Sequence, residues 1–272
     1  MVLLPQAMDG GTVRVSLLQI DVNGDEPVES RRSRVAALVA GRRGDDLVVL
    51  PELWTVGAFA FDRFEETAED AADGPTARMM SEAAVEAGVW LHAGSVIERA
   101  PDGTLYNTSL VFSPDGRLAA RYRKIHRFGF DKGEAVLLGA GSEPTTVTAG
   151  DAVLGLATCY DLRFPELFRK LADAGAQALV VPAGWPDKRA AHWTLLSRAR
   201  AVENQAYVLA CGTAGAHAGV PQAGRSAVID PWGEVLAEAV DNREQVVSAE
   251  LDFARLARVR EEFPALKDRV LR

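Results

Sequence analysis

Two cysteines are the only thiols in this 272-residue chain. Cys159 closes the apolar run AVLGLATC and is followed by TyrAspLeuArgPhePro and a helix-like stretch. A sharp strand-to-helix turn exposes a nucleophile well, because nearby backbone N–H groups can face a developing oxyanion. A thiol at a helix N-terminus also ionises more readily. Taken alone, such a cysteine is more often a small buried hydrophobe. Cys211, inside YVLACG, reads as a core thiol of that kind, and no Cys-x-x-Cys spacing links the two. Glu52 ends DLVVLPE, where α/β sheets place their ligands, beyond the carboxyl end of a buried strand. Lys124 opens the loop KIHRFGFDKGE, which also holds Glu134. Each of these three charges alone reads most simply as a solvated side chain.

Four histidines, at positions 92, 126, 192 and 217, are scattered and lack His-Glu-x-x-His spacing. His126 or His192 could serve a cysteine as base, but no aspartate or asparagine in the sequence singles either out. With two distant cysteines no zinc site is expected. The chain contains no Gly-x-Ser-x-Gly elbow and no phosphate-binding loop, and GAG at 139–141 lacks the dinucleotide pattern.

The elements that must position these residues read as alternating strands and helices. Strands are expected at 13–20, 46–52, 90–98, 107–113, 118–124, 152–159, 178–185, 207–212 and 224–231, with EVLAEA and QVVSAEL as later ones. Helices are expected at 28–40, 75–87, 164–176, 189–205 and 252–262. Residues 125–144 are glycine-rich and read as a long loop. The alternation argues for an α/β fold, and hairpin signals around 101–103 and 114–116 argue for antiparallel strands at the sheet edges. Residues 1–12 read as a loose leader, with Met8 as a second potential start, and 13–272 as one domain.

Composition excludes several classes. Hydrophobic residues make up 48% and charged residues 25%, ordinary for a globular chain. A net charge of -8 argues against nucleic-acid or anionic-membrane binding. No apolar run suggests a membrane span or a signal peptide, and two cysteines supply no disulfide framework, so a cytoplasmic location is expected.

In combination, LPELW with Glu52, RYRKIHRF with Lys124 and TCYDLRFPE with Cys159 resemble the three ordered signatures of the carbon–nitrogen hydrolase family, or nitrilase superfamily. AHWTLLSRARAVENQAYV, GRSAVIDPWGEVLAEA and FPALKDR extend the likeness from about residue 13 onward. The resemblance implies a four-layer α-β-β-α sandwich, a homodimer or larger homo-oligomer, and no metal or cofactor. It implies that Cys159 is the nucleophile, Glu52 the general base and acid, and Lys124 the oxyanion partner beside the backbone N–H of Tyr160. Glu134 falls on the family's second glutamate. The reaction implied is hydrolysis of a small non-peptide amide through a thioester, with water as co-substrate and release of ammonia.

The flanks are most similar to the branch holding omega-amidases and deaminated-glutathione amidases, which implies a carboxylate-bearing amide. Arg163 or Arg127 would receive that carboxylate. Tyr160, Trp185, His192 and Trp193 are candidate pocket walls, though aromatic residues serve at least as often in cores. N-carbamoyl-amino-acid hydrolysis, nitrile hydrolysis and an inactive binding or scaffold protein on the same fold are the alternatives. TCYDLRFPE departs from the Cys-Trp-Glu context of many nitrile-cleaving members.

Overall fold

The structure, a computed structural model, describes residues 11–271. Its strands in chain order are β1 (Thr12–Gln19), β2 (Leu47–Val49), β3 (Trp90–Arg99), β4 (Leu105–Phe112), β5 (Leu118–Arg123), β6 (Thr145–Ala149) and β7 (Ala152–Leu156). They continue with β8 (Ala178–Ala183), β9 (Tyr207–Gly212), β10 (Ala216–His217), β11 (Val220–Pro221), β12 (Ala227–Ile229), β13 (Val235–Glu238) and β14 (Gln245–Asp252). The helices are α1 (Val28–Ala40), α2 (Phe64–Thr67), α3 (Pro75–Ala87), α4 (Glu134–Leu137), α5 (Pro165–Asp173), α6 (Ala190–Asn204) and α7 (Phe253–Glu262).

Two six-stranded sheets carry the fold, in the orders β14-β1-β2-β3-β4-β5 and β13-β12-β9-β8-β7-β6. Each has a parallel centre, β1-β2-β3 in one and β7-β8-β9 in the other, flanked by antiparallel strands. The sheets face each other. Val15, Leu17, Leu47 and Val49 point into the space between them and meet Leu154, Leu156, Val180 and Leu209. The alternate residues Leu18, Val48, Leu50 and Leu91 point the other way, onto Val35 and Val39 of α1 and Met80 and Ala84 of α3. Burial on both faces explains why the central strands are short continuous apolar runs. On the far side α5 and α6 cover the second sheet, giving the α-β-β-α order of layers.

The expected elements recur with small shifts. The run 46–52 is a strand only over Leu47–Val49, because Pro51 and the turn after it carry Glu52 away from the sheet. Strand β6, TTVTA, had no counterpart in the sequence reading. It lies at a sheet edge, is mostly half-buried and is rich in threonine, and so lacks an apolar signature. The loop 125–144 contains the one-turn helix α4, which begins at Glu134. Thr12, placed in the expected leader, already pairs with Asp252 in β1. Residues 1–10 of that leader lie outside the described residues. Among the described residues no helix is long and apolar enough to cross a membrane.

Candidate active site

The parallel strands of the two sheets end at the same place. Glu52 stands three residues beyond β2, Cys159 three residues beyond β7, and Gly184 directly after β8. Lys124 follows the last residue of β5. Both turns that present Glu52 and Cys159 are tight. Cys159 has φ 48° and Leu53, after Glu52, has φ 43°, a left-handed backbone that side chains seldom adopt without surrounding support. The Glu52 turn is packed so closely on Gly94 that a Cβ there would lie 2.0 Å from the Pro51 carbonyl oxygen. The Cys159 turn opens a short 3-10 helix, Cys159–Arg163, whose first turn is closed by a reciprocal Thr158–Asp161 capping box.

The three charged residues meet in one buried cluster. Lys124 Nζ donates to Glu52 Oε1 and to Glu134 Oε2, each at 2.7 Å. Asn107 of β4, absent from the sequence-based candidates, bridges the same pair. Its Nδ2 donates at 2.8 Å to Glu52 Oε1 and at 2.8 Å to Glu134 Oε1. Glu52 Oε2 takes the Gly184 backbone N–H at 2.8 Å, and Glu134 Oε2 takes that of Phe128 at 2.9 Å. Gly184 permits this approach, since a Cβ there would sit 2.5 Å from the Cβ of Ala58. Glu52, Lys124 and Glu134 are 1%, 2% and 3% exposed, so their charges act on one another with little screening by water.

These surroundings set the proton inventory. Burial works against the Lys124 ammonium, but the charges of Glu134 and Glu52 outweigh it and hold its pKa well above the usual lysine value. Burial raises Glu134, with Lys124 opposing and Glu52 adding to the rise. Every contact made by Glu134 nonetheless comes from a donor, the pattern of an ionised carboxylate. The Cys159 thiol is held well above its usual range, first by burial and then by the charge of Glu52, while Lys124 opposes both. Both of these causes favour the protonated thiol.

Above this floor opens a cleft of about 350 Å³, lined by Cys159, Tyr160, Arg163, Trp185, Arg189 and Phe128 among others. The aromatic walls brace one another. Phe128 meets Tyr160 edge-on at 5.4 Å and Phe59 at 6.1 Å. Of the sequence candidates, Tyr160, Arg163 and Trp185 line the cleft. His192 does not: it is exposed on α6 and reaches only Arg163, at 3.3 Å. Arg127 does not line it either. Its guanidinium donates to the carbonyl oxygens of Ala135 and Leu138 and so closes the loop around Glu134. Trp193 is 1% exposed and belongs to the core, with its indole N–H on the Arg225 carbonyl. Cys211 is buried, its Sγ 3.4 Å from the Val49 carbonyl oxygen, and reads as the core thiol its context suggests. Among the described residues no group of His, Cys, Asp and Glu is arranged to hold a metal ion.

Asp161 is a second residue that the sequence left unmarked. Its side chain is fully buried and accepts four hydrogen bonds, from Tyr122 Oη, the backbone N–H groups of His126 and Thr158, and His126 Nδ1. The signal was present in TCYDLRFPE, where Asp161 follows Thr158 at the N-cap to N3 spacing of a capping box.

Two facing sheets with outer helices, and a thiol, two carboxylates and an ammonium gathered at their shared end, define a hydrolase of the nitrilase-type sandwich class. The chain belongs to the carbon–nitrogen hydrolase family, whose sequence profile matches residues 14–261. It is 42% identical over 266 residues to a 2-oxoglutaramate amidase of Paenarthrobacter nicotinovorans, covering 95% of this chain and 90% of that protein. It is 37% identical over 255 residues to a 2-oxoglutaramate amidase of Bacillus subtilis (strain 168), covering 93% and 96%. Its fold superimposes with a TM-score of 0.89 on a carbon–nitrogen hydrolase superfamily protein of Xanthomonas campestris, solved with an arsenic adduct in its active site. That protein is 34% identical, with 96% of this chain and 98% of the other covered. The chain is thus a carbon–nitrogen hydrolase acting on non-peptide amides.

Proposed function

We propose that the protein hydrolyses the amide of a small carboxylate-bearing omega-amide, of the 2-oxoglutaramate kind, and releases ammonia. The observation that carries this reading is the single ammonium of Lys124 held between Glu52 and Glu134 on the floor of the cleft that Cys159 lines. An amide is a poor electrophile and its nitrogen a poor leaving group, so both attack and departure need a proton moved. Cys159 Sγ bonds to the amide carbon while Glu52 accepts the thiol proton. The carbonyl oxygen becomes an oxyanion and takes hydrogen bonds from Lys124 Nζ and the Tyr160 backbone N–H. Glu52 returns the proton to nitrogen, the C–N bond breaks, and ammonia leaves a thioester. Water then attacks with Glu52 again taking a proton, and the C–S bond breaks to give the acid and the thiol. Glu134 keeps Lys124 charged and in place. Arg163, at the cleft mouth, receives the substrate carboxylate.

The raised thiol pKa supports this order of events. A thiol held protonated gives its proton to Glu52 as it attacks. The relatives named 2-oxoglutaramate amidase support the substrate class. Exposed Leu195 and Val202 on α6, with Trp232 beside them, form the face we assign to pairing with a second copy, and light scattering reads the mass directly. Two unpaired buried cysteines suit a reducing, cytoplasmic compartment. The central test is ammonia release from 2-oxoglutaramate beside N-carbamoyl amino acids and nitriles. Cys159→Ala should abolish release with the fold intact, and wild-type protein quenched during turnover should carry an acyl group on Cys159. Turnover confined to carbamoyl compounds, or an acyl group on Cys211, overturns the reading.

A further inference from the structure

The mouth of the cleft carries a second cation that the chemistry above does not use. Arg189 ends the turn Asp187–Arg189 just before α6 and lines the cleft together with Arg163. Its guanidinium lies 5.2 Å from the centroid of the Phe128 ring. The guanidinium of Arg163 lies 4.9 Å from the Trp185 ring and 5.9 Å from the Tyr160 ring. Trp185 joins the two arginines: one face carries Arg163, and its Nε1 donates to the Arg189 carbonyl oxygen at 2.8 Å.

Several other buried or partly buried arginines have partners for the guanidinium: Glu26 for Arg31, Glu98 for Arg123, Asp230 for Arg255, and backbone carbonyls for Arg127 and Arg260. Arg189 does not. Burial and then the like charge of Arg163 oppose its positive charge, and no carboxylate offsets them. Two partly desolvated guanidiniums lining one cleft oppose each other when it is empty and are favourable around an anion. The floor has the opposite character, with two carboxylates against one ammonium.

We infer that Arg189 and Arg163 form a two-arginine clamp for the carboxylate at the far end of the substrate, with Arg189 as a specificity-determining residue. The proposal rests on the reading that amides are hydrolysed at Cys159. The clamp orients the carboxylate-bearing omega-amides proposed above, which enter amide first because the floor repels the carboxylate and the mouth attracts it. The same polarity favours departure of the product, whose new carboxylate is formed beside Glu52.

The experiment compares kcat/KM for succinamate and glutaramate with that for butyramide and pentanamide, in wild type, Arg189→Gln and Arg189→Lys. Arg189→Gln is expected to lower kcat/KM on the two acids at least tenfold, mainly through KM, and to leave the uncharged amides within threefold. Arg189→Lys should recover part of the loss, since it restores charge but not the planar fork. Activity on the uncharged amides reports an intact fold and Cys159 chemistry in every variant. An equal loss on both substrate types, or no loss on the acids, overturns the clamp while leaving the amidase reading in place. Wild-type preference for the uncharged amides overturns the clamp and the proposed substrate class together, and ammonia release from none of the four overturns the amidase reading itself.

Discussion

The imidazole Nδ1 of His126 lies 2.7 Å from Asp161 Oδ1, and the same oxygen accepts the His126 backbone N–H at 2.9 Å. This double contact joins the segment that carries Lys124 to the turn that carries Cys159. The His126 ring also stacks on Phe164 at 3.7 Å, with 6° between the planes. The other oxygen, Asp161 Oδ2, takes Tyr122 Oη at 2.7 Å and Thr158 N at 2.9 Å, reaching β5 on one side and the residue before Cys159 on the other. One buried carboxylate thus sets the placement of ammonium and thiol relative to each other.

Asp161→Asn keeps the volume but turns an acceptor into a donor facing donors. A loss of about 3 kcal/mol in stability is expected, the scale for breaking a buried charged hydrogen-bond group. Amide turnover should fall more steeply than binding, since the turn has to hold its geometry through the attack. His126→Ala keeps the backbone hydrogen bond and should cost less on both counts. Urea unfolding with steady-state kinetics on the two variants checks the order. If His126→Ala proves the more damaging, Asp161 is not the hinge of the arrangement.

Asn107 makes a second expectation possible. Its two N–H bonds are shared between carboxylates that would otherwise repel each other across Lys124. Asn107→Leu removes both donors at similar volume. A hydrogen bond to a charged group is worth about 1.5–3 kcal/mol, so kcat/KM should fall roughly ten- to a hundred-fold. Asn107→Asp adds a third negative charge and should be close to inactive. Parity between the Leu variant and wild type in ammonia release would remove Asn107 from the machinery.

The legible part of the site was the part attached to strand ends. Glu52, Lys124 and Cys159 each close or follow an apolar run, and a charged or sulfur-bearing residue there stands out against its neighbours. Asn107 was hidden because NTSLVFS alternates as any half-polar strand does, and its partners lie 55 and 27 positions away. Arg189 was hidden for a different reason. The run DKRAAHW reads as the polar start of a surface helix, and only Trp185 folding back to the Arg189 carbonyl turns that side chain to the mouth. Arg127 and His192 carried the right chemistry in the right neighbourhood, but local sequence does not say whether a side chain faces the cleft or its own loop. The α/β alternation was readable throughout because strands buried on both faces are continuous apolar runs, whereas the threonine-rich edge strand β6 offered no such run.

Glu52 should control the ionisation of Cys159 as well as its proton. Burial is the first cause of the raised thiol pKa and the Glu52 charge the second. Glu52→Gln removes a negative neighbour, which lowers the pKa of an acid, and leaves Lys124 beside the sulfur. Alkylation by iodoacetamide needs the thiolate, so its rate profile should move to lower pH in the variant. Amide turnover should move the other way, falling by about two to four orders of magnitude, because no group remains to carry the proton. Mass spectrometry of the alkylated protein separates Cys159 from Cys211. Superimposable alkylation profiles would mean that burial alone sets the thiol and that Glu52 lies outside its field.

His217 should make the fold sensitive to acid. Its ring is 3% exposed, stacks on Phe59 at 5.9 Å, and neither ring nitrogen has a partner among the described residues. Burial lowers its pKa from 6.5 to about 4. The unfolded chain therefore binds a proton at His217 before the folded one does, and stability falls as pH drops from 6.5 towards 4, then levels. A shift of that size corresponds to about 3 kcal/mol. His217→Leu removes the titration together with two unpaired nitrogens, at the expense of the ring stack. At pH 8 its stability should lie within about 1.5 kcal/mol of wild type. On acidification the wild type should lose about 3 kcal/mol relative to the variant, with the change confined to that window. Buried His92, also lowered to about 4, titrates in both proteins and cancels in the difference. Chemical denaturation at intervals from pH 8 to pH 4 gives the two curves, and parallel curves would mean that His217 meets water before the fold opens.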